Sequence, residues 1–284
     1  MTIAAPHAPQ TLGTNDTAGA HRIAAAFAAA NGAGRAALIP YVVGGYPDAD
    51  TSFRIALAAV DVGADLLEIG LPFSDPLADG ATLQRASGVA LTAGATLEGS
   101  LQLIERIAAA RPAIPLVPMG YANQFIGGGD GREAARRLSA AGAAGVIVAD
   151  LTPDEGAPFE SVAREHELAV VYLVAPTTSP ERREWIASRS GGFLYCVSLV
   201  GVTGARSSLP TTVGRLVRDV TAASPVPVAV GFGVSRPTHV RSLVRAGAAG
   251  VIVASALVDA LGPDGRDVDG MGTLVRRLVE ATGR

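Results

Sequence analysis

From about His21 onward, short apolar runs rich in β-branched residues alternate with longer segments in which apolar residues recur at helical spacing. The longer segments are rich in Ala, Leu and Arg and have the period of amphipathic helices. The short runs are apolar at nearly every position, which is typical of parallel strands covered on both faces. The alternation therefore predicts repeated βα units and a parallel sheet. The predicted strands are residues 37–43, 66–69, 115–119, 145–149, 169–174, 193–197, 226–230 and 250–253.

Eight parallel strands with intervening helices favour an α/β fold of the closed (β/α)8 type, the TIM barrel. An open doubly wound sheet is the alternative. That fold usually has the motif G-x-G-x-x-G after its first strand, whereas this chain has Gly44-Gly45-Tyr46-Pro47. One extra helix is predicted before the first strand, at residues 22–30. We therefore expect a flexible N-terminal tail over residues 1–20 and a single barrel domain over residues 21–284.

The sequence Ala-Gly-Ala-Ala-Gly-Val-Ile-Val-Ala occurs twice without change, at residues 141–149 and 246–254. A helix that ends at glycine and turns into a buried strand requires small residues followed by β-branched ones. The βα unit is therefore enough to explain the repeat, which predicts no function of its own.

Composition narrows the range of functions. The 284 residues are 49% hydrophobic and 17% charged, which favours one large folded domain over a disordered chain. A formal net charge of −3 provides no basic surface for nucleic acid or for an anionic membrane. The chain has neither the pattern of a secretory signal nor an apolar stretch of about 18 residues, so we expect a cytoplasmic protein.

The sequence contains no lysine, so all 23 residues counted as Lys or Arg are arginine. This excludes Schiff-base aldolases and pyridoxal enzymes, whose covalent step requires a lysine amine, and it excludes a P-loop. The single cysteine, Cys196, cannot form an internal disulfide, and the four histidines lack the spacing of metal ligands. We therefore expect no metal site.

The second predicted strand contains a carboxylate. Period-two alternation places Glu68 on the opposite face from Leu67 and Ile69, so it points into the barrel if those two pack against helices. Burying an unpaired carboxylate costs several kcal/mol, and the chain offers no lysine to pair it, so the pKa of Glu68 should be raised. A raised pKa suits a general acid and base near neutral pH. A structural ion pair with an arginine is the alternative interpretation.

The loop after this strand, residues 71–80, is long for a βα connection and contains two prolines and two aspartates. Working residues of (β/α)8 barrels lie at the C-terminal ends of strands and in the loops that follow, and long loops there are usually functional. Asp79 follows Glu68 by eleven residues, so a loop folded over the barrel mouth would place the two carboxylates at opposite ends of one substrate. The other aspartate, Asp75, is interpreted as a turn residue.

The last three predicted strands are followed by glycine or other small residues, at residues 201–205, 231–235 and 254–256. Such loops, with the N-terminus of a short helix, form the recurring phosphate site of this fold. Without lysine, a phosphate would be held by backbone amides, hydroxyls and the helix dipole. Three tyrosines near strand ends would either contact an aromatic substrate or belong to the core: Tyr41, Tyr121 and Tyr195.

Residues 67–80, LEIGLPFSDPLADG, are similar to the most specific motif of the tryptophan synthase α-subunit family. The resemblance extends from His21 to about Leu261. Further matching segments are ALIPY at 37–41, GYP at 45–47, MGYAN at 119–123, VADL at 148–151, APTT at 175–178, GVTGAR at 201–206 and GFGVS at 231–235.

The resemblance implies a lyase that splits indole-3-glycerol phosphate into indole and glyceraldehyde 3-phosphate without a metal or an organic cofactor. Matched residue by residue, Glu68 occupies the position of the catalytic acid/base and Asp79 that of the carboxylate facing the indole N–H. The remaining candidates are Tyr41, Tyr121, Tyr195 and Thr203 for the substrate, and Gly204, Gly233, Ala254 and Ser255 for its phosphate.

In that family the lyase works with a pyridoxal-bearing β subunit that consumes the indole, which implies an α2β2 complex. A free-standing lyase that supplies indole to another pathway is the first alternative. A non-catalytic allosteric subunit is the second, and the presence of both Glu68 and Asp79 argues against it. Another phosphate-binding barrel, such as a sugar-phosphate isomerase, is disfavoured by the missing lysine. The chain departs from the family pattern at Ala81 and Gln124, where proline is common, and at Ala254, where glycine is common.

Overall fold

The computed structural model describes residues 16–197, 211–231 and 233–284. Within these residues, nine parallel strands form one sheet in the order β5-β4-β3-β2-β1-β9-β8-β7-β6. The strands are β1 (Ala37–Val43), β2 (Leu67–Gly70), β3 (Leu116–Gly120), β4 (Gly145–Val148), β5 (Ala169–Val171), β6 (Leu173–Val174), β7 (Leu194–Val197), β8 (Val228–Gly231) and β9 (Gly250–Val253). Because β5 and β6 are consecutive pieces of chain separated only by Tyr172, the two ends of the sheet meet in a nearly closed barrel.

Helices connect the strands. Those in the described residues are α1 (Ala18–Gly32), α2 (Ala49–Asp61), α3 (Ala81–Thr92), α4 (Leu97–Ala110), α5 (Ala122–Phe125), α6 (Arg132–Ala140), α7 (Pro153–Glu165), α8 (Pro180–Arg189), α9 (Thr211–Ala223), α10 (Pro237–Arg245), α11 (Ser255–Ala260) and α12 (Val268–Glu280). None of the helices in the described ranges is long and apolar enough to cross a membrane. The predicted (β/α)8 barrel is confirmed, and each predicted strand lies within two residues of an observed one. The prediction at residues 169–174 was wrong in one respect, since Tyr172 interrupts that strand.

The extra N-terminal helix is present and is longer than predicted. It begins at Ala18 because the side chain of Thr17 accepts a hydrogen bond from the backbone N–H of Ala20, which caps the helix. Glu167, which has a positive φ of 60°, also accepts there, through its carboxylate from Ala18 (2.7 Å) and through its carbonyl from Gly19 (3.0 Å). Residues 18–20, predicted as part of a flexible tail, therefore belong to α1, and residues 1–15 lie outside the described part of the chain.

Helix α1 lies across the N-terminal ends of the strands. Its buried residues Ile23 and Phe27 approach glycines at or beside the starts of β4, β7 and β9. A Cβ on Gly250 would lie 2.7 Å from the Phe27 ring, and one on Gly192 would lie 2.8 Å from Ile23. Gly145, the counterpart of Gly250 in the repeated sequence, would bring a Cβ to 3.2 Å from Ile23. Both copies of the repeat thus accommodate the same helix, which covers this end of the barrel.

Candidate active site at the barrel mouth

Glu68, the second residue of β2, faces the lumen of the barrel. Its in-register neighbours are Tyr41 on β1 and Val117 on β3. The charge of Glu68 also raises the pKa of Tyr195 on β7, which is four strands away along the sheet order. An interaction across that separation runs through the lumen, so Glu68, Tyr41 and Tyr195 line one internal space.

The Glu68 carboxylate is buried, and none of the described residues pairs with it. The residue is 1% exposed, and neither carboxylate oxygen has a hydrogen-bond partner among the residues that the structure describes. Burial, followed by the negative charge of Asp79, raises its pKa from 4.5 to about 8. The expected rise in pKa is therefore found. Within the described residues no arginine forms the structural ion pair that was the alternative interpretation.

Asp79 lies in the loop after β2 and is partly buried. Burial raises its pKa from 3.8 to about 6, and its charge acts on Glu68. The structure thus brings the two carboxyl groups close enough for the charge of Asp79 to act on Glu68. At neutral pH the higher pKa keeps a proton on Glu68 while Asp79 is mostly ionised, so a proton donor and a negative charge face the same space.

Tyr41 and Tyr195 form parts of the wall around the carboxylates. Each tyrosine lies over the last glycine of a neighbouring strand: a Cβ on Gly70 would be 1.8 Å from the Tyr41 hydroxyl, and one on Gly231 would be 2.3 Å from that of Tyr195. Both side chains are buried. Burial, followed by nearby carboxylate charge, raises both pKa values well above 10, so the phenols remain protonated. Glycine at the two strand ends is what gives these rings room in the lumen.

Tyr121, the third candidate tyrosine, contacts the loop that carries Asp79. Its ring stacks on Phe73 with a centroid distance of 5.1 Å, and its hydroxyl accepts a hydrogen bond from the Ala78 N–H at 3.0 Å. Burial, followed by the charge of Asp79, raises the pKa of Tyr121 to about 12. Gln124, three residues further on, donates from Nε2 to the carbonyl of Pro72 at 3.1 Å. The sequence identified Tyr121 as a candidate but gave no indication of these contacts to the loop.

The candidate phosphate residues are only partly within the described chain. Gly233 follows β8 and has a φ of +72°, a conformation that favours glycine. Ala254 follows β9 and precedes α11, whose first residue is Ser255. Since β8 and β9 are neighbours, these positions converge at the mouth of the barrel. Thr203 and Gly204 lie outside the described residues.

A cavity of about 440 Å³, not expected from the sequence, opens at the C-terminal ends of β4 and β6. Its lining includes the apolar side chains of Ala149, Leu151 and Leu173 and the polar side chains of Asp150 and Arg182. Neither Glu68 nor Asp79 lines it, so it is separate from the acid–base pair. Polar and apolar side chains share the lining.

A buried polar network holds Tyr172, one of the residues that line this cavity. The Tyr172 hydroxyl donates to Glu160 Oε1 at 2.6 Å, and Arg189 donates to Glu160 Oε2 at 2.5 Å. A Cβ on Gly156 would lie 2.0 Å from the Tyr172 hydroxyl, so glycine is required there. The network joins α7 and α8 to the break between β5 and β6. The sequence feature that could have indicated this network is Glu160, a glutamate next to Phe159 on the buried face of α7.

In the described part of the chain, no group of three or more His, Cys, Asp or Glu side chains is arranged to hold a metal ion. A (β/α)8 barrel with a protonated carboxyl and an ionised carboxylate at its mouth defines a class of acid–base enzyme. The sequence profile of the tryptophan synthase alpha chain family matches residues 27–281. The chain belongs to that family.

Individual members of the family are similar to this chain over most of their length. The tryptophan synthase alpha chain of Roseiflexus castenholzii is 48% identical over 244 residues, covering 84% of this chain and 91% of that protein. The one from Methanothermobacter thermautotrophicus is 46% identical over 225 residues, covering 79% and 83%. Among solved structures, Mycobacterium tuberculosis tryptophan synthase superposes with a TM-score of 0.84 at 38% identity, covering 93% of this chain and 98% of that one. The resemblance seen in the motifs is confirmed over most of the chain.

Proposed function

We propose that this protein cleaves indole-3-glycerol phosphate to indole and glyceraldehyde 3-phosphate, as the α subunit of a tryptophan synthase. The observation that carries the proposal is the pair of carboxyl groups whose pKa values are raised to about 8 at Glu68 and about 6 at Asp79. One holds a proton and the other a negative charge over the same pH range. Family membership supports the same activity.

The first chemical step is protonation of the indole ring at C3. Glu68 is the donor, because it is buried and protonated at neutral pH. The proton adds to the C2–C3 double bond, and the positive charge that results is delocalised onto the ring nitrogen. Asp79, ionised at the same pH, faces that N–H and stabilises the charge as it develops.

The second step breaks the bond between indole C3 and the glycerol chain. The Glu68 carboxylate, which has just lost its proton, accepts the proton of the hydroxyl on the adjacent carbon. The electrons of the O–H bond form the aldehyde carbonyl, and those of the C–C bond return to the ring and restore neutral indole. Glu68 ends the cycle protonated, so the reaction consumes no oxidant, reductant or cofactor.

Separate sets of residues would bind the ring and the phosphate of the substrate. Tyr41, Tyr121 and Tyr195 would contact the indole ring, and protonated phenols suit this because they add no charge beside the forming cation. The phosphate would bind to backbone amides and hydroxyls at Gly233, Ala254 and Ser255, with Thr203 and Gly204 contributing from the loop after β7. Binding through amides is consistent with the absence of lysine from the chain.

Loss of activity in single variants tests this assignment. Glu68→Gln keeps the shape of the protonated acid but cannot transfer its proton, so indole release should fall by about 10²–10⁴-fold. Asp79→Asn removes the countercharge and should lower kcat by about 10²–10³-fold. Asp75→Asn, at an exposed position of the same loop, is the matched control and should remain within about twofold. Substantial activity in Glu68→Gln would refute the assignment.

The partner is the second part of the proposal. A tryptophan synthase β subunit that favours the closed state of loop 71–80 should raise indole release by about tenfold or more, which corresponds to about 1.4 kcal/mol. A free-standing lyase would be fully active alone and would not respond to β. Measuring indole release with and without a β subunit from the same source separates the two.

A further inference from the structure

We propose that Gln124 is a positioning residue, which together with Tyr121 clamps loop 71–80 so that Asp79 faces Glu68. The inference rests on the proposed function, because it assigns Asp79 a part in turnover. It is carried by hydrogen bonds and a ring contact between two segments that are about 50 residues apart in sequence.

The clamp holds the loop on both of its limbs. On the first limb, Gln124 Nε2 donates to the carbonyl of Pro72 at 3.1 Å, and the Phe73 ring stacks on Tyr121. On the second limb, the Tyr121 hydroxyl accepts from the N–H of Ala78, the residue immediately before Asp79. Between these points the loop reaches into solvent, since Leu77 is 91% exposed. Asp79 thus follows directly after a residue that the clamp anchors. Its own carbonyl accepts a hydrogen bond from Gln84 Nε2 at 3.0 Å, so α3 and the clamp hold this limb of the loop from two directions.

Gln124 also fixes the segment from which the clamp is built. Its Oε1 accepts a hydrogen bond from the backbone N–H of Tyr121 at 3.0 Å, which holds the start of α5 in place. One side chain therefore accepts from the clamp's own backbone and donates to the loop. A proline or leucine at position 124 can make neither bond. The departure from the family pattern at this position is, in this chain, a polar tether.

The clamp has a specific kinetic consequence. If Asp79 acts on charge that develops only during the reaction, loosening its loop removes stabilisation from the transition state and leaves substrate affinity nearly unchanged. Gln124→Leu should therefore lower kcat by about fivefold and leave KM for indole-3-glycerol phosphate within about twofold. Gln124→Glu keeps the acceptor for the Tyr121 N–H but loses the donor to Pro72, so it should lower kcat at least as much.

The deciding experiment is a double-mutant cycle with Asp79→Asn. If Gln124 acts through Asp79, Gln124→Leu should change kcat by less than about twofold in the Asp79→Asn background. Gln102→Leu makes the same chemical change at an exposed position of α4 and should have no effect. Thermal unfolding of each variant checks that it is folded. Should Gln124→Leu not fold, Gln124→Asn, which keeps the amide but shortens its reach to the Pro72 carbonyl, replaces it in the same cycle.

An equal loss of kcat in both backgrounds would overturn the proposal, because Gln124 would then act on the fold as a whole. Wild-type kcat in Gln124→Leu would overturn it as well. Failure of the proposed function has a different signature, in which Asp79→Asn itself leaves indole release unchanged.

Discussion

Glu68→Gln should stabilise the fold while it abolishes catalysis. In the folded protein the Glu68 pKa is about 8, whereas the ordinary value of 4.5 applies to the unfolded chain. The folded state therefore binds a proton that the unfolded state releases. The contribution of Glu68 to the free energy of unfolding is fully present below pH 4.5 and is lost as pH rises through 8.

The size of the effect follows from the two pKa values. Each pKa unit corresponds to about 1.4 kcal/mol. For values of 4.5 and about 8, the loss from ionisation is below about 1 kcal/mol at pH 5 and reaches roughly 4 kcal/mol at pH 8. Glutamine does not titrate, so any constant difference between amide and acid cancels when two pH values are compared. The free energy of unfolding of Glu68→Gln, relative to that of the wild type, should therefore increase by roughly 3 kcal/mol between pH 5 and 8.

The measurement is urea unfolding of both proteins at pH 5, 6, 7 and 8, followed by far-ultraviolet circular dichroism. The dependence of unfolding free energy on urea must be the same for both, so that the midpoint shift reports stability. Asp79 also titrates in this range but is present in both proteins. Free energies that run parallel for wild type and variant from pH 5 to 8 would refute the view that Glu68 is buried without a compensating partner.

Two further predictions concern activity. The value of kcat/KM for indole release should rise with pH through about 6 as Asp79 ionises and fall through about 8 as Glu68 loses its proton, and a flat profile would contradict these roles. Gly70→Ala would place a methyl group 1.8 Å from the Tyr41 hydroxyl and should lower kcat/KM at least tenfold by displacing that ring. Gly80→Ala is the control, because the space around Gly80 is open, and its kcat/KM should stay within about twofold of the wild type in the same assay.

Much of the fold could be predicted because it depends on local pattern. Parallel strands covered on both faces must be apolar at almost every position, so β1 and β9 were located to the residue. Glu68 stood out for the same reason, since a carboxylate within such a strand is costly unless it has a use. Asp79 became a candidate because its loop is long and because it occupies a position of the family motif.

The contacts that could not be predicted join segments far apart in the chain. Nothing near Gln124 indicates that its amide reaches Pro72, because that contact depends on how two loops fold against each other. The break at Tyr172 has a similar origin, since its hydroxyl bonds to Glu160 on a separate helix. The first N–H of α1 also has a distant partner, the carboxylate of Glu167 about 150 residues away, although the local cap at Thr17 could have been read from the sequence. Local propensity contains no information on such partners.

The raised pKa of Glu68 depends on the covered N-terminal end of the barrel. Helix α1 covers the strand starts through Ile23 and Phe27, so the lumen has its opening at the end where Asp79 and the loops lie. Burial is the main cause of the raised Glu68 pKa, and burial requires that the far end be covered. The stability lost by ionising Glu68 is thus a consequence of the same covered lumen that makes it a proton donor at neutral pH. Selection for activity would keep α1 and the buried Glu68 carboxyl together, even though ionisation of that carboxyl lowers the stability of the barrel as pH rises.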